Sequence, residues 1–200
     1  KEHWLGTNDV GQDIFSQLLI GARISLLVAT LVGVLATLFS LIVGAVAGFF
    51  GGIWDQVLMR FADALLAIPP ILLMVIAGAY LKPGVFTLIL LLAIFSWPGG
   101  ARIIRAQTLS LKNKWHVSAA KCFGAGSFYI LRTHIIPDLS PLLVALLLQT
   151  GRRAVVMEVG LSFLGITDAM MMSWGKMIHY GLKYIYLDVW LWWLLPVGIS

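Results

Sequence analysis

The sequence predicts an all-α integral membrane protein, and three observations support this prediction. The 200 residues are 60% hydrophobic and only 12% charged, with a mean hydropathy of +0.94, unlike any ordinary soluble domain of this length. Several apolar runs reach the length of about 20 residues that an α-helix needs to cross a bilayer. These runs are uninterrupted, whereas the strands of a membrane barrel would alternate apolar and polar residues.

Four complete apolar runs and one incomplete run predict about five membrane helices. The runs are residues 24–50, 64–81, 85–101 and 139–165, and a last one that begins at Trp190. Gly44 and Gly48 in the first run are small residues of the kind that lets helices approach closely in lipid. The pair Pro69–Pro70 predicts a break in the second run, because proline removes a backbone donor. A turn is expected at residues 82–84, and the tryptophan and tyrosine residues within 174–193 are typical of a membrane interface.

The polar segment between the third and fourth runs, residues 102–137, predicts the orientation of the chain. It carries six basic residues and no acidic one: Arg102, Arg105, Lys112, Lys114, Lys121 and Arg132. Because loops rich in Lys and Arg lie on the cytoplasmic side of a membrane, we expect this segment in the cytoplasm, together with a turn at residues 51–60. Residues 1–23 and 166–188 are then expected outside.

Charged residues at the ends of the apolar runs are expected to lie where the helices leave the membrane. Arg102 and Arg105 can extend their side chains toward the lipid headgroups. Arg60 and Asp63 are one helical turn apart, so with Asp55 they are expected to form a charge set at a helix end.

Residue types within the basic segment predict a compact docking element. Ala119 and Ala120 are small enough to let a helix approach another surface closely. Gly124 predicts a helix stop, because glycine tolerates the left-handed conformation. Apolar residues from Phe128 onward predict a second helical stretch that ends near Pro137. A short helix, a glycine break and an amphipathic helix can occupy a groove on a partner protein.

The same stretch resembles the EAA loop of ABC-importer permeases. In that loop Glu-Ala-Ala is followed, after three residues, by Gly, and in the dipeptide/oligopeptide/nickel branch the loop usually ends in His-Ile-Leu-Pro. Here Ser118 to Ala120 reads Ser-Ala-Ala, Gly124 follows at the same spacing, and His134 to Pro137 reads His-Ile-Ile-Pro. Ser118 therefore stands in the place of the glutamate. In the family this loop docks a cytoplasmic ATPase.

The resemblance extends, in order, over essentially all 200 residues. The matching segments are residues 3–16, 21–26, 51–63, 67–70, 96–99, 158–165 and 173–175. The chain departs from the family pattern at Gln12, where arginine is usual, and at the adjacent Arg152 and Arg153, where small or apolar residues are frequent.

The resemblance implies a MetI-like permease core of the type I ABC importers, with about five membrane helices. It implies an extracytoplasmic lead-in at residues 1–23 and a transmembrane permease domain at residues 24–200, with a cytoplasmic coupling loop at about residues 107–137. The chain starts at Lys1 in polar sequence and stops at Ser200 within an apolar run. We therefore expect a piece of a longer protein that is truncated at both ends and lacks one N-terminal span.

The resemblance also implies partners and a location. We expect the plasma (inner) membrane, a homologous permease subunit, two cytoplasmic ABC ATPase subunits and an extracytoplasmic solute-binding protein. The residues expected to couple the permease to the ATPases are Ser118, Ala119, Ala120, Gly124, His134, Ile136 and Pro137. ATP hydrolysis is expected in the partner subunits, so the chain itself is not expected to be an enzyme.

Three charges lie within the fourth apolar run, namely Arg152, Arg153 and Glu158. A charge at the centre of a span costs roughly 2.5–3.5 kcal/mol, so such residues normally face protein or water. They can line the translocation path, or they can pair with neighbouring helices for structural reasons. Glu158 is too far round the helix from either arginine for a direct pair, so each charge is expected to have a partner on another helix or water.

Other classes of function are weighed against this one. The sequence has no phosphate-binding loop, zinc helix or nucleophile elbow, so no catalytic, cofactor or metal site is expected. The net charge of +5 is concentrated in one loop between apolar runs and does not indicate nucleic-acid binding. Met170 to Met172, with Met177 and His179, leave a nickel importer as an alternative to a peptide importer. A secondary transporter is a further alternative, although no inverted repeat is visible.

Overall fold

The chain folds as an all-α protein. A computed structural model describes residues 5–7, 11–80, 84–163 and 172–183, and within these ranges the only β-structure is one isolated bridge between Thr7 and Asp13. The helices are α1 (Ile14–Phe50), α2 (Gly52–Ala67), α3 (Pro70–Tyr80), α4 (Val85–Lys112), α5 (Trp115–Cys122), α6 (Ser127–Ile130), α7 (Ile136–Phe163) and α8 (Trp174–Lys183), with a π-helical turn at Leu131–Ile135.

Three helical stretches among the described residues are long and apolar enough to cross a membrane. They are Ile14–Phe50, Val85–Lys112 and Ser127–Ser162, and the number rises to four if α2 and α3 form one broken span. The prediction of a multi-pass, all-helical membrane protein is confirmed. The fifth run, from Trp190, lies outside the described residues. Of the predicted turn at residues 82–84, the structure describes Gly84 alone.

The first helix begins well before the apolar run that predicted it. α1 starts at Ile14 because Asp13 caps it: the Ser16 backbone N–H donates to Asp13 Oδ2 at 3.0 Å, and the Ser16 hydroxyl donates to the same oxygen at 2.6 Å. A capping carboxylate satisfies backbone donors that the first turn leaves free. The helix therefore includes Arg23, which lies upstream of the uncharged run.

The turn predicted at residues 51–60 is wrong in extent, because α2 already begins at Gly52. Gly51 and Gly52 have φ angles of +66° and +56°, which only glycine adopts without strain, so two residues suffice to start the reversal. The break at the proline pair is confirmed. Ile68 is extended, as expected before a proline, and Pro70 opens α3 at a position where no N–H is needed.

The helix that was predicted to end near Pro137 does not end there. It continues into α7 as far as Phe163. The π-helical turn lies immediately upstream, where the Ile136 N–H donates to the carbonyl of Leu131, five residues back. This wider turn accommodates the proline ring, so the helix continues past a residue that would otherwise kink or stop it.

The helices divide into two compact units, and each is described by itself. One unit comprises residues 32–70 and 93–150. Within it, α1 and α4 run parallel in close contact: a Cβ at Gly44 would lie 2.5 Å from the Ala101 carbonyl oxygen, and one at Gly48 would lie 2.9 Å from the Arg105 carbonyl oxygen. The contact advances four residues on both helices, which is the spacing of a small-residue interface in lipid.

A hydrogen bond supports the same contact. The Ser40 hydroxyl donates to the backbone carbonyl of Trp97 at 2.7 Å, and both groups are buried. The absence of a side chain at Gly100 leaves space for Ser40, since a Cβ at position 100 would lie 2.5 Å from the serine oxygen. The buried apolar core of this unit joins α1 and α4 to the segment that follows them; it includes Phe49, Ile104, Leu111, Val117, Ile130, Ile135 and Leu139.

The other unit comprises residues 1–31, 71–92 and 151–200. In its described part, glycines again allow close approach of neighbouring segments: a Cβ at Gly175 would lie 2.6 Å from Val159 Cα, and one at Gly151 would lie 2.9 Å from the Ala29 carbonyl oxygen. The Trp174 indole donates to the carbonyl of Leu18 at 3.2 Å. These contacts hold α8 against α1 and α7.

We predict that Gly44→Ala destabilises the protein by about 1–3 kcal/mol, because the added methyl group has no room against the α4 backbone. The matched control is Gly99→Ala, since a Cβ at Gly99 meets nothing within 4 Å. That change should be neutral or stabilise by up to about 1 kcal/mol through helix propensity. Thermal unfolding in detergent measures both changes. Equal effects of the two substitutions would contradict the close contact of α1 and α4.

Candidate functional site

The basic segment folds into a compact element at residues 115–135, called here the docking element. α5 ends at Cys122, and the chain reverses at Gly124, whose φ is +79°. The Gly124 N–H donates to the Lys121 carbonyl and the Ala125 N–H donates to the Ala120 carbonyl, both at 3.0 Å. This pair of bonds is a Schellman motif, which requires a left-handed residue. The predicted helix stop at Gly124 is confirmed.

One side of the docking element is buried and the other carries exposed aromatic rings. Val117, Ile130 and Ile135 are fully buried in the core of the unit. The exposed rings, called here the aromatic surface, belong to Trp115, Phe123, Phe128 and Tyr129, and Phe123 is 91% exposed. Several large apolar groups that are exposed within one short element indicate an interaction site.

The predicted coupling residues lie at both ends of this element. Ser118 and Gly124 are exposed, while Ala119 is half-buried. Ala120 packs against the core of its own unit, so its small size serves an internal contact. Ile136 and Pro137 begin α7, with Ile136 half-buried and Pro137 exposed.

His134 connects the two ends of the element through ring contacts. Its imidazole lies 5.9 Å from the ring centroid of His116 and 5.9 Å from that of Tyr129. Sequence reasoning does not predict that His116 or Tyr129 contacts His134. Their participation follows from the reversal at Gly124, which brings α5 back toward the π-helical turn.

Asp138 anchors the start of the docking element. Its Oδ2 lies 3.6 Å from the Lys114 ammonium and 3.6 Å from His116 Nε2. Sequence reasoning does not predict this role of Asp138, although its position as the first acid after a basic segment is a visible signal.

Two arginines of α4 pair with two aspartates of α2. Arg105 forms a bidentate pair with Asp55, through Nε to Oδ1 and through Nη2 to Oδ2 at 2.6 Å. Arg102 Nε donates to Asp63 Oδ1 at 3.0 Å, and this pair is about half exposed. The prediction that these arginines extend toward the lipid headgroups is therefore wrong. The predicted charge set of Asp55, Asp63 and Arg60 is also wrong, because both aspartates pair with arginines of α4. Carboxylates on the neighbouring helix offer better geometry than dispersed headgroups.

A third contact ties the docking element to α1. The Lys121 ammonium lies 5.7 Å from the ring centroid of Phe49, within the range of a cation–π interaction. Phe49 lies in the last turn of α1, one residue before its end. The element is therefore held at α5 by Phe49 and at its start by Asp138.

The three charges of the fourth run are not brought together. Glu158 is 1% exposed, and its Oε1 accepts hydrogen bonds from the hydroxyls of Ser162 at 2.8 Å and Ser173 at 2.6 Å. Its Oε2 is buried without a hydrogen-bond partner. Arg152 and Arg153 are exposed on α7, and no carboxylate in the described part of the chain pairs with them. Hydroxyl groups, which sequence reasoning did not consider, are the partners of Glu158.

No group of three or more His, Cys, Asp or Glu side chains that could hold a metal ion occurs among the described residues. Of the run Met170 to Met172, only Met172 lies within these residues, and it packs on the apolar cluster around Ile14 and Met177. This contact is apolar packing, which explains Met172 and Met177 without a ligand.

The comparison with known families identifies the family to which this chain belongs. The family of the binding-protein-dependent transport system inner membrane component matches residues 36–195, which includes the whole docking element. The chain belongs to this family. The permease family that the EAA-like segment indicated is thereby confirmed, and so is the multi-pass membrane location.

Curated relatives of this permease are named for peptide transport. It is 39% identical over 183 residues to the oligopeptide transport system permease protein OppC of Bacillus subtilis, with 91% of this chain and 60% of the relative covered. It is 37% identical over 190 residues to the dipeptide transport system permease protein DppC of the same organism, with 94% and 59% covered. The probable D,D-dipeptide permease protein DdpC of Escherichia coli is 35% identical over 190 residues, with 94% and 63% covered. The chain thus spans about three fifths of the length of these relatives.

We predict that the pair Asp55–Arg105 contributes more to stability than the pair Asp63–Arg102. The first is bidentate and partly buried, whereas exposed pairs contribute about 1 kcal/mol or less. Double-mutant cycles with Asp55→Asn and Arg105→Gln, and with Asp63→Asn and Arg102→Gln, measure the two coupling energies by unfolding in detergent. The first should exceed about 1 kcal/mol and the second should not. A larger coupling for Asp63–Arg102 would contradict this ranking.

Proposed function

We propose that this chain is the transmembrane permease subunit of an ATP-driven ABC importer that moves peptides across the plasma (inner) membrane by alternating access. Two cytoplasmic ABC ATPase subunits carry out ATP hydrolysis, and one of them docks on residues 115–135 of this chain. A homologous permease subunit completes the pathway, and an extracytoplasmic solute-binding protein delivers the substrate. The observation that supports this proposal most directly is the aromatic surface on an internally braced element within the family match.

The docking element is built so that a movement of a bound partner would be passed to the membrane helices. Its aromatic rings are exposed, while its other side is fixed by the buried core, by Asp138 and by the contact of Lys121 with Phe49. Aromatic anchors dominate the binding energy of interfaces when a partner desolvates them. A partner that binds these rings therefore acts on a body that is tied to α1 and α4.

Continuity with α7 provides the route from the ATPase to the membrane. The π-helical turn at Leu131–Ile135 joins α6 to α7 without a loop. A displacement of the docking element therefore moves α7 along its axis or rotates it. ATP binding favours one orientation of the permease only if the closed ATPase dimer binds that orientation more tightly, because differential affinity alone shifts a two-state equilibrium.

The predicted coupling residues take distinct roles in this proposal. Ser118 and Gly124, which are exposed, meet the ATPase directly, and Ala119 and Ala120 let α5 lie close to both the partner and its own core. His134 holds the two halves of the element together through His116 and Tyr129. Ile136 and Pro137 mark the junction to α7.

The proposed topology places residues 1–23 outside as a lead-in to the permease domain of residues 24–200, and the coupling loop at about 107–137 inside. Peptide is proposed as the substrate because the relatives named above belong to peptide systems. Arg152, Arg153 and Glu158 remain proposed contributors to the translocation path.

The experiment that tests ATPase docking is truncation of the aromatic surface. Phe123→Ala in the assembled complex should weaken ATPase binding by about 2 kcal/mol, roughly thirtyfold, if Phe123 is an anchor. Co-purification of the ATPases and peptide uptake into proteoliposomes measure the loss. The control is Phe86→Ala, which truncates a phenylalanine on α4 that is 72% exposed and lies outside the element. If Phe123→Ala keeps full ATPase binding and uptake, the docking assignment fails.

Cys122 tests the orientation, because it is exposed and is the single thiol of the sequence. A membrane-impermeant maleimide should label it in inside-out vesicles and leave it unlabelled in right-side-out vesicles. In a second variant, Cys122→Ser with Thr7→Cys, the labelling should reverse, since residue 7 lies in the proposed outer segment. Labelling of Cys122 from outside would invert the topology and remove the coupling role with it.

A further inference from the structure

An apolar groove runs between α1 and the helical stretch that contains α6, the π-helical turn and α7. Its wider part has a volume of about 560 Å³, and its walls are built by Leu41, Ala45 and Phe50 on one side and Phe128, Leu131 and Ile136 on the other. A narrower part of about 190 Å³ shares Leu41 and extends to Val34 and Leu147. Both parts belong to one unit of the fold.

The groove follows the two helices in antiparallel register. Phe50 lies opposite the end that contains Phe128, and Val34 lies at the end that contains Leu147. From residue 50 to residue 34 an α-helix rises about 24 Å, which exceeds the roughly 15 Å of hydrocarbon in one leaflet. The groove is therefore long enough to take one acyl chain from the headgroup level toward the middle of the bilayer.

Arg132 gives the wider end of the groove its charge. Among the described residues that line the groove it is the one ionised side chain, it is exposed, and no described carboxylate forms an ion pair with it. An unpaired guanidinium beside an apolar channel has the donor geometry to bind a phosphate through two hydrogen bonds.

We propose that this groove binds an anionic phospholipid of the cytoplasmic leaflet, with its phosphate on Arg132 and one acyl chain along α1. The proposal rests on the orientation given under Proposed function, and it requires no ATPase contact. Anionic lipids are concentrated in that leaflet and attract basic residues near its surface. A lipid bound there would lie beside Phe128, so it would couple the composition of the leaflet to the position of the docking element.

A transmembrane helix of a partner subunit is the competing occupant. The apolar walls leave Arg132 without a counter-charge, which a phosphate supplies and an apolar helix does not. Charge therefore favours the lipid.

The test measures retained lipid on the full-length permease in its assembled complex. Nanodiscs are prepared from equal amounts of phosphatidylglycerol and phosphatidylcholine with identical acyl chains, and native mass spectrometry counts the lipids retained after transfer to detergent. The wild-type complex should retain phosphatidylglycerol in at least fivefold preference. Arg132→Gln should abolish the preference, whereas Lys112→Gln, which removes a basic residue of the same segment outside the groove, should leave it intact.

A second variant separates the groove from general charge. Ile42→Trp fills the wall of the groove at an exposed position, where the change leaves the core untouched, and it should reduce the retention of both lipids. Equal retention of the two lipids by the wild type, or equal losses in Arg132→Gln and Lys112→Gln, would overturn the proposal. So would cross-linking of Ile42→Cys to a helix of the partner permease in a Cys122→Ser background. ATPase binding is measured in parallel, so failure of docking and failure of lipid binding are told apart.

Discussion

The close parallel contact of α1 and α4 is the constraint on which the unit of residues 32–70 and 93–150 depends. Gly44 and Gly48 bring the two backbones to a distance at which a single added methyl group would overlap the Ala101 carbonyl or the Thr108 side chain. This approach fixes the end of α1 beside the end of α4. It thereby sets the positions from which Phe49 and Lys121 meet and from which α5 leaves the membrane segment.

The other described segments of this unit are attached to this pair of helices. Arg105 attaches α2 to α4 through Asp55, the buried residues Val117 and Ile130 attach the docking element to the same core, and Asp138 fixes its start. The π-helical turn then makes the element continuous with α7. A partner that binds the aromatic surface therefore acts on α1, α4 and α7 together, which supports the proposed coupling.

Sequence reasoning predicts the features that depend on local chemistry. Apolar run lengths give the membrane helices, the Pro69–Pro70 pair gives the break between α2 and α3, and Gly124 gives the helix stop, because each follows from the properties of the residues themselves. It does not predict contacts between distant helices. The pairing of Arg105 with Asp55 and the hydrogen bond from Ser173 to Glu158 arise from tertiary packing across 50 and 15 positions, so no spacing rule reveals them. The continuation past Pro137 depends on a π-helical turn, for which the sequence has no recognisable signal.

Site-specific cross-linking tests the central claim most directly, that the exposed rings of residues 115–135 meet a cytoplasmic ATPase. In a Cys122→Ser background, Phe123→Cys should form a cross-link to the ATPase subunit with a short bifunctional reagent. Leu148→Cys, which is exposed on the apolar part of α7, should form none. The yield at residue 123 should change when ATP is trapped in the complex. Absence of an ATPase cross-link at residue 123, or an equal yield at residue 148, would contradict the account.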